Sequence, residues 1–164
     1  MKRDTFFSGD RKYRYRLTRV WDKTKPIVAF VMLNPSTANE EADDPTIRRC
    51  IAFARAWGYG GIHVVNLYAL VSTDPEKLLS EPDSIGGVTD DYLEMAAFTT
   101  SKVIVAWGNH GADNQRRVDS VIKILTRFQD IYCLGKNQNG QPKHPLYVRK
   151  MPEGDLLLFE EVNH

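Results

Sequence analysis

Three short apolar runs in this chain each stop at a polar loop, and that pattern restricts the fold more than any other feature. Val28-Ala-Phe-Val-Met-Leu33 runs into Asn34-Pro35-Ser36-Thr37, and Ile62-His-Val-Val65 runs into Asn66-Leu67-Tyr68. Ile131-Tyr-Cys-Leu134 runs into a Gly-, Lys- and Asn-rich loop that ends at Lys143-His144-Pro145. Apolar runs of this length bounded by turn residues read as buried strands. In an α/β sheet, strand ends of one polarity open onto the ligand crevice. Two carboxamides and an imidazole gathered there make a pocket for a small polar group such as a nucleobase.

The remainder of the chain alternates strand and helix patterns. Residues 13–21 alternate aromatic or apolar with basic residues, which predicts a strand with one solvated face. Residues 22–26 form a turn, and 27–33 a second, buried strand; the two are expected to pair as an N-terminal antiparallel hairpin. After a polar loop over 34–44, Asp44-Pro45 reads as a helix N-cap with proline in the first turn. Ile47, Cys50, Ile51, Ala54 and Trp57 follow helical spacing up to Gly58. Strands follow at 62–65, 102–106 and 131–134. Helices are expected at 89–99 and from about residue 113, where Val118, Val121, Ile122 and Leu125 share a face. Residues 68–87 read as an irregular loop with a short helix near 75–79, and 147–159 as one or two edge strands. Alternation of this kind favours a three-layer α/β/α sandwich with a mainly parallel central sheet. The loops after Leu33, Val65, Ala106 and Leu134 then share one edge.

At 164 residues the chain is expected to be one domain, 1–164, large enough for a substantial core. No apolar run approaches the roughly 18 residues of a membrane span. The charged start, Met1-Lys-Arg-Asp-Thr, leads into no apolar segment, so a secretory signal is not expected. Cys50 and Cys133 lie far apart and read as reduced core thiols of a cytoplasmic protein. A net charge of +1 leaves bulk electrostatics neutral toward nucleic acid, so any attraction must come from a local patch. Arg48-Arg49, Arg116-Arg117 and the group Lys136, Lys143, Arg149 and Lys150 either flank the crevice or form solvated faces.

Other residues on these loops carry two readings each. Tyr68 and Trp107 either stack on a base or pack in the core. Asn109 lies beside them in Trp107-Gly-Asn-His-Gly111, a turn whose backbone N–H groups suit an anion only weakly. His110 has no second His or Cys at ligand spacing, so no metal site is expected. No cofactor is expected either: the chain has no Gly-x-Gly-x-x-Gly fingerprint and no P-loop. Two cysteines also cannot supply the four ligands of an iron–sulfur cluster.

Val31-Met-Leu-Asn-Pro-Ser36, Val64-Val-Asn-Leu-Tyr68, Val103-Ile-Val-Ala-Trp-Gly108 and Lys143-His-Pro145 resemble, in order, the motifs of the uracil-DNA glycosylase superfamily. The whole chain is also similar to a family of bacterial and phage proteins catalogued only as a domain of unknown function. This second resemblance rests above all on Asn34-Pro-Ser-Thr-Ala38 and the Gly-Lys-Asn to His-Pro stretch. The first resemblance implies a glycosylase-like fold over about residues 27–148 and roles for particular residues. Asn34 would position water, although an amide cannot take a proton, and general-base help is typically worth about 10²–10⁴-fold. One of Glu40, Glu41, Asp43 or Asp44 would then supply the missing charge, unless Asp44 is simply a cap. Asn66 would read the O4 and N3–H edge of a pyrimidine, unless it caps its own strand. His144 would stabilise the departing base, unless it is a surface turn residue. Ser36, Tyr68, Trp107 and Asn109 would line the substrate site, while Lys136, Lys143 and Arg149 would hold phosphates.

The functional expectation is a nucleobase-recognising domain, in its sharpest form an N-glycosidic hydrolase acting on a modified pyrimidine in DNA. The alternatives are a nucleic-acid or nucleotide binding module without chemistry, and an enzyme acting on a free nucleotide. Oligomeric state is left open.

Overall fold

A computed structural model describes residues 1–160. Seven strands form one mixed sheet: β1 (Lys2–Phe7), β2 (Arg14–Val20), β3 (Ile27–Met32), β4 (Gly61–Asn66), β5 (Lys102–Val105), β6 (Ile131–Cys133) and β7 (Leu157–Leu158). Their order across the sheet is β1-β2-β4-β3-β5-β6-β7. The helices are α1 (Pro45–Ala56), α2 (Lys77–Ser80), α3 (Thr89–Thr99) and α4 (Gln115–Thr126).

The sheet corrects two expectations. It is mixed rather than mainly parallel: β4, β3, β5 and β6 run parallel, while β1, β2 and β7 add antiparallel edges. The N-terminal hairpin joins β1 to β2, not the 13–21 strand to the 27–33 strand. β4 lies between β2 and β3, and Gly60-Gly61 explains how it fits. A Cβ on Gly60 would lie 2.0 Å from the Asp22 carbonyl oxygen, and one on Gly61 would lie 2.7 Å from that of Arg19. Only glycine lets the start of β4 enter that slot. β3 is therefore sheathed by parallel partners on both edges, which matches its unbroken apolar sequence.

Alternate strand residues feed two cores. Val28, Phe30, Ile62, Val64 and Ile104 pack with Ile47, Cys50, Ile51 and Ala54 of α1. Ala29, Val31, Val65, Val103 and Val105 pack with Leu93 and Ala96 of α3 and with Val118, Val121, Ile122 and Leu125 of α4. α1 begins as its sequence dictates: the Asp44 carboxylate accepts from the Ile47 N–H at 2.9 Å, and Pro45 opens the first turn. Both cysteines are buried and unpaired. Among the described residues no helix is long and apolar enough to cross a membrane.

The β1–β2 ladder carries one irregularity. Its register slips, so that Phe6 faces Arg16 while Phe7 faces Arg14, leaving Tyr15 as the extra residue of a bulge. Tyr15 stacks on Tyr92 of α3 and Arg16 lies over the same ring, so two consecutive side chains share the α3 face. Arg14 is thereby turned to the α1 face, with Leu17 and Arg19.

Candidate functional site

The carboxyl ends of β3 and β4, the loops after β5 and β6, and the amino end of α1 enclose a cavity of about 720 Å³. Asn34, Ser36, Asn66, Trp107, Asn109 and His144 line it together, although they come from segments far apart in the chain. Its wall also includes Arg14, Asp44, Thr46 and Ser72.

Asn66 is the last residue of β4, paired across the sheet with Met32. It is 2% exposed, and neither its Nδ2 nor its Oδ1 has a hydrogen-bond partner. Buried amides are nearly always satisfied, because an unmade bond there costs about 1–3 kcal/mol. A side chain that tolerates this at the floor of a cavity offers one donor and one acceptor to a ligand.

Asn34 is committed at one end. Its Nδ2 donates to the carbonyls of Pro35 (3.1 Å), Leu70 (3.2 Å) and Ser72 (2.9 Å), which ties the loop after β3 to the segment after β4. What it can still present to the cavity is Oδ1, an acceptor.

His144 precedes a turn of 3₁₀ helix formed by Pro145–Tyr147. Its Nδ1 accepts from the Leu146 N–H at 3.2 Å, so the neutral ring carries its proton on Nε2 and donates from there. Burial lowers its pKa from the ordinary imidazole value, and the nearby Asp44 charge partly opposes that shift. The ring is therefore neutral at physiological pH.

The loop after β6 is folded onto the cavity's rim. The Lys143 N–H donates to the Gly135 carbonyl (2.9 Å), and the Gly108 N–H donates to that of Pro142 (3.0 Å). Gln141, 5% exposed, accepts from the Trp107 indole N–H (2.8 Å) and donates to Gln115 (3.0 Å). Trp107 is thus a core residue whose only polar group is already engaged.

Four residues that the sequence points to lie off the cavity. Tyr68 belongs to the opposite core, where its hydroxyl meets Asn114 and burial raises its pKa. Lys136 sits 5.3 Å from the centre of the Phe159 ring. Lys143 lays its stem along Gly135, and Arg149 is exposed. None of these four lines the cavity. The arginine pairs are largely structural. Arg48 and Arg49 donate to the carbonyls of Asp43 and Val148, and Arg117 pairs with Asp90 (2.8 Å) while donating to the Leu67 carbonyl.

Arg14 and Asp44 are what sequence reasoning missed or undervalued. Asp44 is indeed the cap of α1, yet it is also the one carboxylate on the cavity wall among the described residues. Arg14 is 2% exposed with a single side-chain hydrogen bond, from Nη1 to the Ala38 carbonyl (3.0 Å). Its Nε is buried without a partner. Desolvation lowers its pKa to about 10, so it stays charged at neutral pH. The aromatic–basic alternation of β2 suggested solvated arginines, and nothing in it signals the bulge.

No curated protein and no solved structure matches the chain. A family match runs from Arg14 to Leu146, so that it begins and ends on the wall of the cavity. Because the match covers most of the length, the chain belongs to the family described as protein of unknown function DUF1643.

Proposed function

We propose that this protein recognises a pyrimidine base in the sheet-edge cavity and hydrolyses its N-glycosidic bond, with a modified pyrimidine in DNA as the substrate. The observation that carries the reading is Asn66, a buried carboxamide with donor and acceptor both unpartnered on the cavity floor. A pyrimidine edge offers the complementary pair, O4 and N3–H. Helices pack against both faces of the sheet, as the glycosylase-like three-layer sandwich requires, and the motif resemblance at residues 31–36, 64–68, 103–108 and 143–145 supports the same reading.

The chemistry divides between two side chains. A water oxygen bonds to C1′ as the C1′–N bond breaks, its electron pair leaving on the base. Asp44 takes the water's proton, supplying the charge that an amide at position 34 lacks. Neutral His144 donates from Nε2 to the base carbonyl on which negative charge gathers. The departing base finally takes a proton from solvent. Extruding the base from a duplex costs a few kcal/mol, least where it is damaged or single-stranded.

Duplexes and single strands carrying a panel of modified pyrimidines test this, with abasic product as the readout. Product that disappears in Asn66→Leu supports the reading, and no product from any substrate removes the hydrolase. A second reading, binding without chemistry, is favoured by the three carbonyls that occupy the Asn34 amide, since these make it a loop staple. It predicts DNA binding with no abasic product.

A further inference from the structure

Among the described residues three arginines are nearly or wholly buried, and two of them hold a carboxylate. Arg19 pairs with Asp43 at 2.8 Å and also donates to the carbonyls of Thr18, Asn39 and Ala42. Arg117 holds Asp90 and the Leu67 carbonyl. Arg14 makes no ion pair with any described carboxylate and bonds one carbonyl, leaving Nε buried and empty. Asp44 acts on it only through longer-range attraction, with no ion pair between the two. An uncompensated buried charge is strongly destabilising. Its retention on a cavity wall, aimed there by a bulge, is the pattern of a group awaiting an anion.

We infer that Arg14 is the phosphate-binding residue of this cavity, so that the ligand is a nucleotide unit rather than a bare base or nucleoside. The inference rests on the pyrimidine reading of the same site. A guanidinium suits phosphate because its planar donors match two oxygens at once. The hydroxyls of Ser36 and Thr46 stand on the same wall, and α1, twelve residues long, points its amino end at it. The phosphate is either that of a free mononucleotide or one of a strand's own linkages.

The test compares thymidine, uridine, cytidine and, as purine controls, adenosine and guanosine with their 5′-monophosphates, a short oligothymidylate and inorganic phosphate, by calorimetry and by the Arg14 Nε–H resonance. Wild type should favour a monophosphate or the oligonucleotide over the matching nucleoside by about tenfold or more. Arg14→Met should bring that ratio close to one while keeping nucleoside affinity, and Arg14→Lys should recover part of it. Asn66→Leu should lose nucleoside binding yet still bind inorganic phosphate. Should Arg14→Met fail to fold, the wild-type Nε–H resonance decides alone: it moves with phosphate, or the inference falls. Equal affinity for nucleoside and nucleotide also overturns it. Phosphate binding with no preference among bases would sustain Arg14's role and defeat the pyrimidine reading instead. Binding of the oligonucleotide without the monophosphates assigns the phosphate to a strand.

Discussion

Replacing Asn66 by leucine should make the empty protein more stable while destroying its ligand binding. Asn66 buries two polar atoms without partners. Each such group costs about 1–3 kcal/mol relative to a satisfied one. Leucine has the same branching and no polar atoms, but its extra bulk against Met32 and Val64 costs about 1–3 kcal/mol in a packed site. The open cavity above the side chain keeps that cost near its lower bound. The net expectation is a gain of at least about 1 kcal/mol, which corresponds to at least about 2–4 °C in melting temperature for a domain of this size. Thermal and urea unfolding of the unliganded protein read the gain, and calorimetry with pyrimidine nucleosides reads the loss. An ordinary core asparagine would behave oppositely, since its truncation strands partners. A lower melting temperature for Asn66→Leu, or nucleoside affinity equal to wild type, would refute the reasoning that this amide is held for a ligand.

Asp44 has two duties that two substitutions separate. Asp44→Ala should lose about 1 kcal/mol of cap energy, visible as a lower urea midpoint, whereas Asp44→Asn should keep most of it. Both should lower any glycosidic hydrolysis by about 10²–10⁴-fold, and retained turnover in Asp44→Asn would dismiss it as the base. Gly111→Ala should destabilise by about 1–3 kcal/mol, measured by chemical unfolding, because its Cβ would lie 2.4 Å from the Trp107 ring. His63 is half-buried, shares a 2.8 Å hydrogen bond with Thr18, and has its pKa lowered to about 4 by burial, with Arg16 and Lys2 adding to the shift and Asp4 opposing it. Between about pH 6.5 and pH 4 the unfolded chain therefore binds more protons at this residue than the folded one. Stability should fall as pH drops through that window, and urea midpoints of His63→Gln should fall less; identical pH profiles would remove His63 as a cause.

The parts of the fold that can be read from the chain are those where one physical signal acts alone. β3 is apolar throughout because both its faces and both its edges are covered, and α1 carries its cap, its proline and its buried stripe in order. The meeting of Asn34, Asn66 and His144 at one edge follows from parallel strands, which need only be recognised as strands. β1 is illegible because its charged sequence, Lys2-Arg-Asp-Thr, has no apolar pattern; its partner β2 makes it a strand. The placement of β4 inside the expected hairpin depends on the close approach that Gly60 and Gly61 permit, and glycine reads equally well as a turn. Tyr68 is drawn toward the site by its nearness to Asn66 in sequence. The strand ends at Asn66, though, and the chain then turns Tyr68 into the other core. Arg14 is hidden for a different reason, since alternation across Tyr15 places it with Arg16 and Thr18, on the wrong side.

The bulge at Tyr15 governs more than one side chain. A β2 lacking Tyr15 would still aim its guanidinium at the cleft, by plain alternation from Leu17. A β2 of the present length, ironed flat, would turn the same guanidinium toward α3 and leave the cleft without its cation. The charge available to a bound anion is therefore set by whether the number of residues before Leu17 is odd or even as the strand is paired. Arithmetic along the backbone, no less than the amino acid itself, decides what this cleft can hold.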